Sequence, residues 1–103
     1  MQLIGGNGYS NGNIFVLNSE GYFGPLCDDD YSSVDAGVVC AQLGFRRDKV
    51  TRYGGSHFGD VPDKFAMDGI RCNGTEARIQ DCYYLTLDNC RGIEGAGVEC
   101  FEL

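Results

Sequence analysis

Histidine is almost absent from this sequence, and its scarcity narrows the chemistry that the chain can perform. His57 is the one histidine among 103 residues, and it lies in a glycine-rich segment, residues 54–59, without a recognisable nucleophile motif. A hydrolase of the triad type needs a histidine placed between a nucleophile and an orienting acid. Zinc sites typically contain cysteines spaced C-x-x-C, which this sequence lacks. We therefore expect neither an enzyme nor a zinc protein.

Basic residues are also scarce. The chain has 8 lysines and arginines against 15 aspartates and glutamates, which gives a formal net charge of −7. Binding to phosphates of nucleic acid needs a positive field, so we do not expect nucleic acid as a partner. Half of the basic side chains nevertheless fall in one short basic stretch: Arg46, Arg47, Lys49 and Arg52. This basic stretch is either a solvated loop or a contact for polyanionic ligands, because arginine matches the geometry of sulfate, phosphate and carboxylate.

Long apolar runs are missing as well. No segment is long and apolar enough for membrane insertion, and the first six residues are too short and too glycine-rich for a signal peptide. The length suits one domain, and no stretch resembles a linker between two cores. We therefore expect one domain over residues 1–103.

Cysteine, by contrast, is abundant. Six cysteines in a chain whose size permits only a modest core indicate disulfide bonds. Disulfides indicate an extracellular location, in a secreted protein or in the ectodomain of a membrane protein. Six cysteines allow many different pairings, so the connectivity stays open at this point.

The first half of the chain predicts a hairpin followed by a helix. Residues 13–17 and 22–26 are β-branched and aromatic runs between turn residues, which is typical of paired strands. Ser32 or Ser33 is a candidate N-cap for the helix, and Gly44 is a suitable left-handed stop. The predicted apolar positions of the helix are Val34, Val38 and Leu43.

The second half predicts shorter elements. Residues 53–62 are glycine-rich and predict a loop, residues 65–72 alternate as a strand, residues 76–81 predict a helical turn, and residues 97–103 alternate as a terminal strand. The fold class is therefore α+β. We expect a small disulfide-rich domain in which a curved antiparallel sheet cradles one main helix plus a short helical turn.

Several motifs along the whole chain resemble those of one family. They are LIGG at residues 3–6, CDDD at 27–30, DAGVVCAQLGF at 35–45, MDGIRCNGTE at 67–76 and AGVEC at 96–100. In these motifs the chain resembles the scavenger receptor cysteine-rich (SRCR) family, in its six-cysteine group A. Because the motifs recur in order with matching cysteines, chance is a poor explanation.

The resemblance implies one disulfide pairing. The pairs are Cys27 with Cys90, Cys40 with Cys100, and Cys72 with Cys82. The eight-cysteine group of the family has two more cysteines, and residues around Ser10 and Phe45 occupy their places here.

The sequence departs from the family in having no tryptophan, because Phe23 and Tyr31 stand at the usual tryptophan positions. These changes preserve aromatic bulk but alter the surface that ligands would touch.

Three consecutive carboxylates, Asp28, Asp29 and Asp30, repel one another and are costly to hold together unless solvent or a cation offsets their charge. From composition alone, a solvated acidic turn is the preferred interpretation. The family resemblance reverses that preference, since it implies that Asp28, Asp29 and Glu94 bind calcium, or magnesium in its absence. Coordination positions left to water would then be open to a ligand.

Two further sites follow from the motifs. The resemblance implies a second cation site at Asp68 and Asn89, which should be weaker because Gly69 replaces a usual acidic residue. Asn73 begins an Asn-Gly-Thr sequon for N-glycosylation, which fits an extracellular chain.

Two functions stay open. The first is an extracellular ligand-binding module, in which a cation contributes to recognition of anionic ligands, microbial surfaces or a protein partner. The alternative is a structural accessory domain of a larger secreted enzyme or receptor, with no ligand of its own. Flanking domains would distinguish them, because a fold alone does not define a function.

Overall fold

A computed structural model describes residues 1–86 and 89–103. The strands in these residues are β1 (Gln2–Gly5), β2 (Asn11–Leu17), β3 (Phe23–Pro25), β4 (Val50–Tyr53), β5 (Asp68–Arg71), β6 (Tyr83–Leu85) and β7 (Gly97–Cys100). The helical segments are α1 (Ser33–Gln42) and a single 3₁₀ turn (Ile79–Asp81).

Antiparallel pairing joins five of the strands into one sheet. Its order is β1-β2-β7-β4, and β3 pairs with β2 beyond the point where β7 leaves it. Strands β5 and β6 form a separate two-stranded sheet. The α+β fold class with antiparallel sheet, one main helix and a short helical turn is confirmed.

Two strands lie where the sequence pattern did not indicate them. Strand β4 covers the end of the basic stretch and pairs along its whole length with β7, with Arg52 opposite Val98. Strand β6 pairs with β5 across an irregular register. Both segments are short and partly exposed, so they lack the apolar alternation that marks a strand in sequence.

Helix α1 begins at a capping box. Ser32 is the N-cap, and its backbone N–H donates to the Asp35 carboxylate at 2.8 Å. The other oxygen of Asp35 accepts from the Cys72 N–H, also at 2.8 Å, which ties the helix start to the end of β5. Asp35 therefore points inward, and the prediction that Val34 lies on the apolar face is wrong, because Val34 is 48% exposed. The helix ends before Gly44, whose φ of +93° favours glycine.

The main core lies between α1 and the sheet. Its fully buried side chains include Ile14, Val16, Leu26, Val38, Val39, Ile70, Ile79 and Val98. A smaller apolar cluster surrounds the disulfide between Cys27 and Cys90, with Val61 and Phe65 packed against it. This second cluster supports the loops that carry the candidate site.

Three disulfides join the elements in the pairing that the resemblance implied. They are Cys27–Cys90, Cys40–Cys100 and Cys72–Cys82. The Tyr9 and Phe45 rings stack with centroids 5.9 Å apart, beside the places that carry cysteines in the eight-cysteine group. An aromatic contact therefore joins the first turn to the end of α1 at this point.

Candidate cation site

The backbone brings Asp28 beside Glu94. Directly after Leu26, Cys27 forms an isolated antiparallel bridge with Gly95, and the Asp28 N–H donates to the Glu94 carbonyl at 2.9 Å. The disulfide from Cys27 reaches the same late loop at Cys90. Two acidic segments that are distant in sequence are thereby held side by side.

Three carboxylates converge at this bridge. One carboxylate oxygen each from Asp28, Asp29 and Glu94 lie within 4.8 Å of one another. Asp28 Oδ2 accepts from the Gly55 N–H at 2.7 Å, and Glu94 Oε2 accepts from the Arg91 N–H. Two of the three carboxylates are therefore oriented by backbone donors, and Asp29 is exposed. We call Asp28, Asp29 and Glu94 the acidic triad.

The residues of the second expected site border the acidic triad. A carboxylate oxygen of Asp68 lies within 4.8 Å of one from Asp29. Asn89 Oδ1 and Asp29 Oδ2 lie 3.6 and 3.9 Å from the same sulfur atom, Cys90 Sγ. The structure thus places Asp29 between the two predicted sites.

Asp68 carries an orphaned polar atom. The residue is only 5% exposed, and its Oδ1 has no hydrogen-bond partner among the residues that the structure describes. A buried carboxylate oxygen without a partner is costly. A cation bound between Asp68 and Asp29 would satisfy it. The neighbouring Gly69 has a φ of +63°, a left-handed backbone conformation that glycine adopts without strain.

The charges of this cluster act on one another. Partial burial, followed by the charges of Glu94 and Asp28, raises the pKa of the Asp29 carboxyl above its ordinary value. Burial, followed by the charge of Asp29, raises the pKa of Asp68. Both shifts indicate that burial and the neighbouring negative charges disfavour the ionised form of these carboxyl groups.

Ser56 positions the loop that carries Glu94, and sequence reasoning missed it. The buried Ser56 hydroxyl donates to the Gly92 carbonyl at 2.6 Å and accepts from the Gly95 N–H at 2.8 Å. Its own N–H donates to the Gly95 carbonyl. The preceding Gly-Gly pair marks a turn in the sequence, but no sequence signal shows that the hydroxyl bridges two residues nearly forty positions away.

The four residues of the basic stretch contact four different neighbours in the structure. Arg46 forms a two-point contact with Asp48, with its Nε 2.9 Å from Asp48 Oδ1. Arg47 donates to the Gly74 carbonyl, and the Lys49 ammonium lies 4.6 Å from the centre of the Phe101 ring. Arg52 lies on β4, and its Nε donates to the Tyr31 carbonyl at 2.8 Å.

His57 belongs to an aromatic cluster. Its ring stacks on Tyr53 with centroids 4.1 Å apart and meets Phe58 edge to face. The cluster packs beside Gly97, where an added Cβ would lie 3.0 Å from the Phe58 ring. His57 therefore packs against its aromatic neighbours in and beside the loop after β4.

Comparison with known proteins identifies the family. The family model described as scavenger receptor cysteine-rich domain matches residues 4–101. A protein of Patiria pectinifera described as a scavenger receptor cysteine-rich domain superfamily protein is 42% identical over 105 residues, covering 100% of this chain. This chain belongs to the scavenger receptor cysteine-rich family. It spans 9% of the length of that relative.

Solved SRCR structures share the fold. The third SRCR domain of murine neurotrypsin superposes with a TM-score of 0.85 at 32% identity, covering 99% of this chain and 95% of that domain. The SRCR domain of mouse MARCO, in its dimeric form, superposes with a TM-score of 0.72 at 30% identity, covering 97% of this chain and 93% of that one.

Membership of the family carries coarse functional conclusions. SRCR domains are extracellular modules of secreted or membrane proteins, they mediate ligand or protein interactions, and they are generally not catalytic. In the part of this SRCR chain that the structure describes, no helix has the length and apolar character needed to cross a membrane.

Proposed function

We propose that this SRCR domain is a ligand-binding module in which a divalent cation, held by Asp28, Asp29 and Glu94, contributes directly to recognition of an anionic ligand. The convergence of these three carboxylates within 4.8 Å carries the proposal. Carboxylate oxygens are the ligands that calcium prefers, and magnesium uses them as well.

The surrounding residues fit such an ion. Mutual repulsion within the acidic triad would be relieved by a divalent charge, and the unpartnered oxygen of Asp68 points to the same need. Asp68 and Asn89 would form the second, weaker site, with Asp29 beside it. When bound, calcium supplies a positive centre with coordination positions open to an oxygen of the ligand.

The ligand would meet an exposed surface. The described residues enclose no pocket of the kind that holds a small substrate. Polyanionic chains, microbial surfaces with repeated acid groups, or an acidic protein partner suit a surface site of this kind. Weak single-site binding would gain avidity if several such domains occurred together.

An N-glycan at Asn73 belongs to the same proposal of an extracellular module. Asn73 is exposed in the loop after β5, and its backbone N–H donates to Glu76. Its side-chain amide makes no hydrogen bond to the residues that the structure describes. Secretion from a eukaryotic host should yield a glycosidase-sensitive mass that Asn73→Gln removes, and an unmodified parent would contradict this.

The test of the proposed function is binding to an immobilised heparin fragment with calcium and with chelator. We expect binding that chelator abolishes, and loss of this calcium dependence in Glu94→Gln. Glu102→Gln, which removes an exposed carboxylate near the C-terminus, is the matched control and should bind as the parent does. Equal binding of the parent with calcium and with chelator would refute the proposal.

A further inference from the structure

Three Asn-Gly pairs occur in the sequence, and the structure places them in three different settings. They are residues 7–8, 11–12 and 73–74. An asparagine that precedes glycine can lose its side-chain amide when the glycine nitrogen attacks the side-chain carbonyl carbon, because a residue without Cβ leaves that nitrogen accessible. In a folded chain the attack also requires that the backbone can bring the two atoms together. The fold therefore decides which of the three pairs reacts.

A carboxylate holds the backbone of the last pair. The Asn73 N–H and the Gly74 N–H donate to the two oxygens of Glu76 at 2.8 and 3.0 Å. The Gly74 carbonyl accepts from Arg47 Nη1 at 2.7 Å. These contacts fix the peptide groups on both sides of Gly74, which restricts the rotation that the attack requires.

Strand pairing holds the middle pair. Gly12 lies opposite Gly5 in β1 and opposite Val98 in β7. Gly12 is buried, and a Cβ added to it would lie 2.6 Å from the Ile4 nitrogen. Because two strands enclose this peptide, its nitrogen can approach the Asn11 side chain only when the sheet opens locally.

The first pair lies in the exposed turn between β1 and β2. Asn7 and Gly8 are both exposed, and a Cβ added to Gly8 would have no atom within 4 Å. Among the described residues, the Gly8 N–H has no acceptor. The Asn7 Oδ1 accepts from Asn11 Nδ2 at 2.7 Å, but both groups are exposed, so water can replace this bond. Of the three glycine nitrogens, that of Gly8 is the least restrained.

We propose that Asn7 is a site of spontaneous deamidation in the folded, oxidised domain, and that the fold protects Asn11 and Asn73. The Gly8 nitrogen gives up its proton to hydroxide and bonds to Asn7 Cγ. The Cγ–Nδ2 bond then breaks, and the leaving nitrogen takes a proton from water and departs as ammonia. Water opens the resulting cyclic imide at either carbonyl, which gives aspartate or isoaspartate at residue 7. Water and hydroxide are the only co-reactants.

Either product changes the turn between β1 and β2. Each adds one negative charge to a chain whose formal net charge is already −7. Isoaspartate also adds a methylene to the backbone of a turn in which the Asn7 N–H donates to Asn11 Oδ1 at 3.0 Å. Tyr9 of the same turn stacks on Phe45, so the change affects the contact with the end of α1 as well. No residue of the acidic triad lies in this turn, so deamidation at Asn7 does not depend on cation binding.

The experiment incubates the oxidised, unglycosylated domain in mildly alkaline buffer and follows each asparagine by peptide mapping with mass spectrometry. We expect Asn7 to convert at least about tenfold faster than Asn11 or Asn73, because only its glycine nitrogen can reach the side chain without local unfolding. In the reduced and denatured chain the three asparagines should convert at similar rates, since each precedes glycine. Similar rates in the folded domain, or a faster rate at Asn73, would overturn the proposal.

Three variants test the assigned atoms. Gly8→Ala should slow the conversion of Asn7 by about tenfold, because the methyl group hinders the nitrogen, and the open surroundings of Gly8 accept it without strain. Glu76→Ala frees the Gly74 N–H and should accelerate conversion at Asn73 while leaving Asn7 unchanged. Asn73→Gln is the matched control and should also leave Asn7 unchanged. If Gly8→Ala converts as fast as the parent, or if Glu76→Ala leaves Asn73 as slow as before, the proposed protection by the fold is wrong.

Discussion

Replacing Ser56 tests how the fold holds Glu94 in the acidic triad. Ser56→Ala removes the hydrogen bond to the Gly92 carbonyl and the one from the Gly95 N–H. The Gly92 carbonyl keeps a second donor, the Val61 N–H, so that loss costs about 1 kcal/mol. Gly95 is buried, and leaving its N–H without a partner costs about 1–3 kcal/mol. We expect a decrease of roughly 2–4 kcal/mol in the free energy of unfolding.

A second substitution at the same position supplies the control. Ser56 has a φ of +53°, a conformation that glycine adopts more easily than alanine. Ser56→Gly loses the same hydroxyl but should be roughly 1 kcal/mol less destabilised than Ser56→Ala. Urea denaturation of the oxidised proteins without calcium measures both values. Losses below about 0.5 kcal/mol in both variants would refute the role assigned to the hydroxyl.

Two further predictions concern the fold. Replacing Cys40 and Cys100 together by alanine removes a disulfide between cysteines 60 residues apart and should lower the free energy of unfolding, measured by urea denaturation, by roughly 4 kcal/mol. Removing the disulfide between Cys72 and Cys82, which are 10 residues apart, should lower it less. A larger loss for the Cys72–Cys82 pair would contradict the chain-entropy argument. Burial raises the pKa of Tyr31 well above 10.0, so the unfolded state ionises first and stability should fall as pH rises above about 10. When tyrosinate absorbance is followed as the pH is raised, one tyrosine should ionise later than the others, and Tyr31→Phe should remove that late phase. Ionisation of all the tyrosines already near pH 10 would contradict this prediction.

The elements with strong local signals could be predicted from the sequence. Helix α1 follows from a serine N-cap at Ser32 or Ser33, the recurrence of apolar residues at helical spacing, and the stop at Gly44. Strand β2 follows from its β-branched core between glycine-rich turns. Where tertiary pairing decides the structure, the pattern was insufficient. Strand β4 forms because β7 offers a partner, and Val34 is exposed because Asp35 needs the inward position.

For the candidate site, the sequence supplied residue types but not proximity. The resemblance indicated Asp28, Asp29 and Glu94, and the structure brings their oxygens together through the bridge between Cys27 and Gly95. It could not show that Arg52 packs on the Tyr31 ring while Arg46, Arg47 and Lys49 contact other parts of the chain, because those contacts depend on the tertiary structure. Nor could it show the role of Ser56, which depends on contacts across the chain.

Calorimetric titration of the calcium-free domain with calcium measures whether the acidic triad binds a divalent cation. We expect one principal binding event with a dissociation constant of about 10⁻⁴–10⁻³ M, the range of extracellular modules with few protein ligands. Asp29→Ala should abolish that heat, because Asp29 borders both predicted sites, while Glu102→Gln should leave it unchanged. If a correctly folded, oxidised parent shows no binding at several times 10⁻³ M calcium, the acidic triad is a solvated turn and not a cation site.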